Sequence, residues 1–248
     1  LLVDVVRTNQ EAFGRIGMKQ PDVRELLDMT RGDADTWRMY AEGYTMGLNQ
    51  VEQEKTREKV MRYKPKNIAE LAAFVAAVRP AFKSMLPIFL DRRHFDYGIP
   101  AFDKLIQTRE MTSSFLLYQE QTMKTLQFAG FSAPESYSAI KAIAKKHPEK
   151  VLPLKTRFLE GFAAKADMPS AEKVWQIIED ATSYGFNSSH AVCVALDSLY
   201  GAWLKAHHPL EYYTTLLSGY ADKGDKDRIS LTTPLTNTPA EGKSCTPA

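Results

Sequence analysis

The chain has 248 residues, 44% of them hydrophobic and 25% charged, with 32 basic against 30 acidic side chains and a net charge of +2. That composition can bury a core and excludes disorder throughout, and no apolar run approaches the ~18 residues of a membrane-spanning helix. The charge balance does not by itself mark a nucleic-acid binder.

Two cysteines, Cys193 and Cys245, give neither a disulfide framework nor metal spacing, so a reducing, cytoplasmic setting is expected. No signal peptide is visible and the first residue is Leu1, so a processed or truncated chain is one expectation. Taken in order, Asp33-Ala34-Asp35 reads as a helix start before Thr36-Trp37, because D-x-D spacing converges only on a strand. A basic stretch follows at Lys55, Arg57, Lys59, Arg62, Lys64 and Lys66, opposed by Glu58. Asn67 with Glu70 resembles a capping box, and Leu71, Phe74, Val75 and Val78 continue at helical spacing until Arg79-Pro80 closes the helix.

Ser114-Phe115-Leu116-Leu117-Tyr118 reads as a short extended piece, and Gln119 to Gln127 returns to helical spacing. A second basic stretch comprises Lys141, Lys145, Lys146, Lys150, Lys155 and Arg157, opposed by Glu149. A helix is expected from Ser170, with Val174, Ile177, Ile178 and Ala181 on one face and Gly185 as its stop. The next begins at Asn187 to Ser189, carries Ala191, Ala195, Leu199 and Trp203, and ends before Pro209, which opens a further helix over Leu210 to Leu217. From Leu231 the chain has no aromatic residue and is dominated by threonine and proline, a segment expected to be disordered. The fold expected is mainly α, a multi-helix domain with few or no short strands and a disordered C-terminal tail.

Two places carry candidate chemistry. In Ser183-Tyr184-Gly185-Phe186-Asn187-Ser188-Ser189-His190-Ala191, a polar helix N-terminus offers N–H groups to an anion, while the plainer reading is capping by Asn187 or Ser189 with an exposed His190. Tyr118-Gln119-Glu120-Gln121 packs four hydrogen-bonding side chains behind an apolar run, which suits either a nucleotide or the capping of a helix. Asp225-Lys226-Asp227 reads as linker, and His207-His208 as a helix end. There is no Gly-rich phosphate loop and no convincing metal cluster.

These residues are specific enough to name a resemblance. Tyr184 through Ala191, followed by Trp203-Leu204-Lys205-Ala206-His207-His208-Pro209-Leu210-Glu211-Tyr212, resembles the Y-G-F-N-K-S-H-A … A-x-L-K-A-x-x-P-x-E-F signature of bacterial and phage DNA polymerase III alpha subunits, the C-family polymerases. Gly43 through Glu52 is similar to that family's G-x-T-x-G-x-F-Q-x-E block, and Leu71 through Pro80 to its A-L-x-R-P-G-P block. Leu117 through Met123 is similar to V-Y-Q-E-Q-x-M, and Ala142 through Lys146 stands where the family has R-R-A-M-G-K-K. The blocks keep the family's order over about residues 1–228. The departures are Ser188 for the signature lysine, Ala81 for the glycine of R-P-G-P, Ile140 and Lys141 for the paired arginines, and Ala144 for the second glycine.

The resemblance implies a fingers region, with residues 1–66 leading in from the palm, 67–228 forming the helical fingers and 229–248 a Thr/Pro-rich tail. The implied activity is that of a DNA-directed DNA polymerase, in which Mg2+ ions assist attack of a primer 3′-hydroxyl on an incoming dNTP. Arg79, Lys145 and Lys146 would contact its phosphates, and Tyr118, Gln119, Gln121, Asn187, Ser189 and His190 would shape its pocket. From the two basic stretches, Lys55, Arg57, Arg62, Lys141, Lys150 and Arg157 are the candidates for DNA contact. The family's catalytic carboxylates are expected upstream of residue 1, with Asp4 close to the place of the last, so Mg2+ would bind outside this chain and the fragment alone would be inactive. Primer–template DNA, dNTP and other replisome subunits are the implied partners, with no membrane. A free-standing helical nucleic-acid-binding module without activity is the alternative, and a divergent hydrolase using His190 a remote one.

Overall fold

The structure, a computed structural model, describes residues 2–79, 82–145, 148–182, 185–226 and 229. Among them run thirteen helices: α1 (Leu2–Arg15), α2 (Val23–Thr30), α3 (Ala34–Ala41), α4 (Glu54–Tyr63), α5 (Ile68–Ala77), α6 (Leu86–Leu90), α7 (Pro100–Ile106), α8 (Gln119–Phe128), α9 (Ala133–Ala144), α10 (Pro148–Ala163), α11 (Met168–Thr182), α12 (Ser188–His207) and α13 (Pro209–Asp222). No strand occurs among the described residues, and the extended piece Ser114–Tyr118 pairs at one point only, where Tyr118 lies parallel to Phe186. The fold is mainly α, as the periodicity indicates. The Thr/Pro-rich stretch 230–248, with Asp227, lies outside the described residues.

Side-chain caps set several helix starts. The Asn67 side chain accepts from Glu70 N at 2.9 Å, and the Glu70 carboxylate accepts from Lys66 N at 2.8 Å, one residue earlier than in the usual reciprocal box. Asp33 caps α3, accepting from Asp35 N (3.2 Å) and the Thr36 hydroxyl (2.6 Å), and it also meets His207 Nε2 at 2.7 Å, so the D-x-D pair is a helix start. α11 starts two residues before the expected Ser170, because Asp167 accepts both the Ser170 N–H (2.7 Å) and its hydroxyl (2.8 Å). α13 continues to Asp222, beyond the expected Leu217, with Tyr220 buried in its last turns.

Packing groups the chain in a way that is not linear in sequence. Leu1–Val75 and the chain from Val192 onward form one unit, and Ala76–Ala191 the other. In the first, Phe13, Leu26, Tyr40, Leu71 and Tyr212 are buried. Long-range hydrogen bonds tie its two chain segments: Tyr40 hydroxyl with Ser198 hydroxyl (3.0 Å), Tyr200 hydroxyl to Pro21 O (2.7 Å) and Asn9 Nδ2 to Asp197 O (3.0 Å). Gly47, at φ +78, lets α13 come close: a Cβ there would stand 2.7 Å from Leu216 Cδ2.

The second unit is built on Phe102, Ile106, Leu126, Phe158, Phe162, Val174, Trp175 and Ile178. Burying each of the large side chains contributes on the order of 2–3 kcal/mol. Phe82, Phe89, Phe95 and Phe115 form an aromatic cluster ahead of α8, with Phe89 and Phe115 edge-on at 5.4 Å. This core holds the start of α8 and the residues before α12, where the candidate chemistry lies.

Candidate functional site

The apolar run Phe115 to Leu117 is buried and turns sharply into α8, and Gln121 makes that turn. Its Oε1 accepts from Leu117 N and Tyr118 N, both at 2.8 Å, while its Nε2 donates to Ile106 O (2.7 Å) and Phe115 O (3.1 Å). The amide's capacity is thus spent on main chain. Gln121 shapes the site by fixing the backbone and offers no group to a ligand. Its neighbour Gln119 donates its N–H to Phe186 O at 2.9 Å, and Phe186 N donates to Leu117 O at 3.4 Å. The half-exposed Gln119 side chain stands beside that pairing.

At the start of α12, Asn187 Oδ1 accepts from His190 N at 3.0 Å. Ser188 N donates to the Glu120 carboxylate, 3.2 and 3.1 Å from its two oxygens. The capping reading of this stretch therefore describes the geometry, with a carboxylate from α8 placed at the helix N-terminus, where the helix dipole favours negative charge. Ser189 and His190 are exposed, and the His190 ring meets Phe186 edge-on at 5.1 Å. Tyr184 lies outside the described residues.

Arg79, just past the end of α5, stacks its guanidinium 3.0 Å from the centre of the Phe186 ring. It has no ion pair among the described residues. Partial burial lowers its pKa without approaching neutrality. It lines a cavity of about 230 Å³ together with Phe82, Met85, Tyr118, Ile177 and Asp180. The Tyr118 phenol is pushed up to about 12, first by burial and then by the Glu120 charge, so it remains a hydrogen-bond donor at any physiological pH. A largely apolar-walled cavity that holds the Arg79 guanidinium, the phenols of Tyr97 and Tyr118 and the Asp180 carboxylate suits a ligand with a flat apolar part and an anionic group on the Arg79 side.

The expected lysines lie on the far ends of two other helices. Lys141 on α9 is exposed, its Nζ 4.2 Å over the Tyr137 ring, Lys145 caps the end of α9, and Lys150 lies in the first turn of α10. Lys146 lies outside the described residues. A second cavity, about 360 Å³, opens where α9 ends and α10 begins, between Ile143, Pro148, Val151 and Glu179, and it shares Asp180 with the first.

Arg157 does not fit the role of a free DNA contact. Its guanidinium is 2.8 Å from Glu135 Oε1 and 3.2 Å from Oε2, donates to Gly130 O at 2.9 Å and covers the Phe131 ring at 4.3 Å. It fastens α10 to the start of α9. Lys55, Arg57 and Arg62 all lie on α4, in the first unit, with Lys55 and Arg62 exposed and Arg57 half-buried.

Phe186 and Glu120 build the site in ways that their own stretches of sequence do not specify. Phe186 stands in the Y-G-F-N block but has no polar group to advertise a role, and the partner of Glu120 lies 68 positions away.

Among the described residues no group of three or more His, Cys, Asp or Glu side chains has the arrangement to hold a metal ion. Asp4 pairs with Lys223 at 2.6 Å. No helix of the described residues is long and apolar enough to cross a membrane. Residues 6–166 match the family described as Bacterial DNA polymerase III alpha subunit finger domain. The chain is also similar to the DNA polymerase III subunit alpha of Campylobacter jejuni (34% identical over 212 residues, 84% of this chain and 18% of that protein) and of Thermotoga maritima (34% over 209 residues, 84% and 24%). That of Bacillus subtilis is 32% identical over 209 residues, 83% of this chain and 19% of that protein. The chain thus spans about a fifth to a quarter of the length of these relatives.

Proposed function

Because this chain belongs to the bacterial DNA polymerase III alpha subunit finger-domain family, we propose that it supplies the nucleotide-gripping surface of a template-directed DNA polymerase. The observation that carries the proposal is Arg79: a half-buried guanidinium, stacked on Phe186 and without a carboxylate partner among the described residues, at the wall of a cavity. A dNTP would place its base against the apolar wall near Tyr118 and its phosphates toward Arg79, with His190 beside the Phe186 ring and Lys145, at the end of α9, reaching the more distant phosphates. Charge developing on a transferring phosphoryl group is what such a pre-placed cation stabilises. Gln119, Asn187 and Ser189 shape the rim, and Gln121 acts through the backbone it holds.

The exposed lysines of α9 and α10, with Lys55 and Arg62 of α4, would meet the DNA backbone, whose affinity is dominated by phosphate neutralisation. The Mg2+ ions that supply Lewis-acid assistance would be held by carboxylates outside this chain, in a palm that the full polymerase contributes. On this reading the chain has no polymerase activity by itself and works in the cytoplasm, with primer–template DNA and other replisome subunits as partners.

In the intact enzyme, Arg79→Ala should raise the KM for dNTP roughly tenfold to a hundredfold, the loss of one charge-assisted contact. Joint alanine substitution at Lys145 and His190 should lower both nucleotide affinity and turnover. Unchanged steady-state constants in both variants would remove the nucleotide role. Salt-sensitive duplex binding that survived in them would then identify a nucleic-acid-binding module instead.

A further inference from the structure

We propose that Glu120 is a positioning residue for the nucleotide pocket, its carboxylate holding Ser188 so that the Phe186 ring stays beneath the Arg79 guanidinium. The proposal rests on reading that pocket as a nucleotide site. An acidic side chain beside a pocket for a polyanion needs a reason to be there, since like charges repel. Both Glu120 oxygens are turned to one backbone N–H, that of Ser188, at 3.2 and 3.1 Å. They sit at the N-terminus of a 20-residue helix, which neutralises part of their charge.

Among the described residues, the segment ahead of that helix has few other holds. Phe186 is tied to the start of α8 by one firm backbone bond, Gln119 N to Phe186 O at 2.9 Å, and one long one, Phe186 N to Leu117 O at 3.4 Å. Two residues on, the Glu120 clamp is the third tie, and it comes from the same turn of α8. The ring so fixed carries Arg79 at 3.0 Å on its face and His190 edge-on at 5.1 Å. Arg79 has no ion pair among the described residues to hold it, so the ring is what places its charge. Glu120 thereby acts on a bound anion through Phe186 and Arg79 without touching it.

A double-mutant cycle tests this, with dATP binding to the 248-residue chain read by calorimetry and amide hydrogen exchange at Phe186 and Ser188 read in parallel. Glu120→Ala should weaken dATP by about tenfold, while Glu120→Gln, which keeps one acceptor oxygen, should stay within about threefold. In an Arg79→Ala background, Glu120→Ala should have no further effect, because coupled residues are not additive. Exchange at Ser188 should quicken at least ~10-fold in Glu120→Ala at an unchanged denaturation midpoint, the mark of local opening. Additive losses, or unaltered exchange at Ser188, would overturn the proposal. Absence of dATP binding by the unsubstituted chain would instead sink the pocket reading, and the exchange result would still decide whether the clamp exists.

Discussion

Gln121 answers to four main-chain groups at once, and two of them, Leu117 N and Tyr118 N, have few alternatives in a buried turn. Gln121→Ala should therefore cost about 2–4 kcal/mol of stability, seen as a fall in the denaturant midpoint, since buried polar groups would lose their partners. A different single-residue effect belongs to Glu135. The Arg157 guanidinium first, and then the Ser132 N–H, hold its carboxyl down at about 2, against an ordinary value of 4.5. The folded pKa lies below the unfolded one, so the stabilisation is complete above pH 4.5 and is lost as the pH falls through about 2. The gap in denaturation midpoint between the unsubstituted chain and Glu135→Gln should stay constant from neutral pH to pH 5 and close below pH 4, measured by urea titration at each pH. At this scale sequence shows which residue types are present and not where they turn. Nothing in Tyr118-Gln119-Glu120-Gln121 tells that Gln121 points inward to Ile106 while Glu120 points to Ser188, because both partners are supplied by other parts of the chain.

Helices were legible where apolar spacing and a cap coincide. Asn67 and Asn187 stand immediately before α5 and α12, and Pro209 opens α13, as their chemistry requires. α11 starts two residues before Ser170, because Ser170 and Asp167 are both good caps and only the direction of the hydrogen bonds separates them. Asp167→Ala should consequently lower stability by ~1 kcal/mol and Ser170→Ala by less, compared by thermal melting. The crossing of α10 over the end of α8 is set by Gly161, where a Cβ would run into the Ala129 carbonyl oxygen. No side chain can yield there, because the obstacle is backbone. Gly161→Ala should push the helices apart and cost at least ~2 kcal/mol, despite the higher helix propensity of alanine, as a denaturant titration would show. The crossing was not readable beforehand: a glycine inside a helical pattern announces some close approach, but not with what.

Over the whole chain, the charge of +2 is a sum of unlike parts. Arg157 is cancelled by Glu135 and Lys223 by Asp4, whereas Lys141, Lys145 and Lys150 are exposed. Reversing Lys141 and Lys150 to glutamate should flatten the dependence of duplex affinity on salt by roughly one unit of log–log slope per removed phosphate contact, and Arg157→Ala should leave that slope unaltered. Anisotropy titrations at several salt concentrations separate the two outcomes. Nearly the whole architecture class could be read from periodicity. The grouping into two units could not, since it depends on α12 and α13 returning to pack with α1 to α4.

That return dictates an order of events on the ribosome. Residues 76–191 form a unit from one uninterrupted stretch, so they can close as soon as they leave the exit tunnel. The helices made first, α1 to α4, must wait with Phe13 and Tyr40 unburied until Ser198, Tyr200 and Tyr212 have been synthesised. A nascent chain stalled once residue 191 has left the tunnel, with α12 and α13 still inside it, should therefore be protease-resistant over residues 76–191 and sensitive before them, the reverse of the order of synthesis.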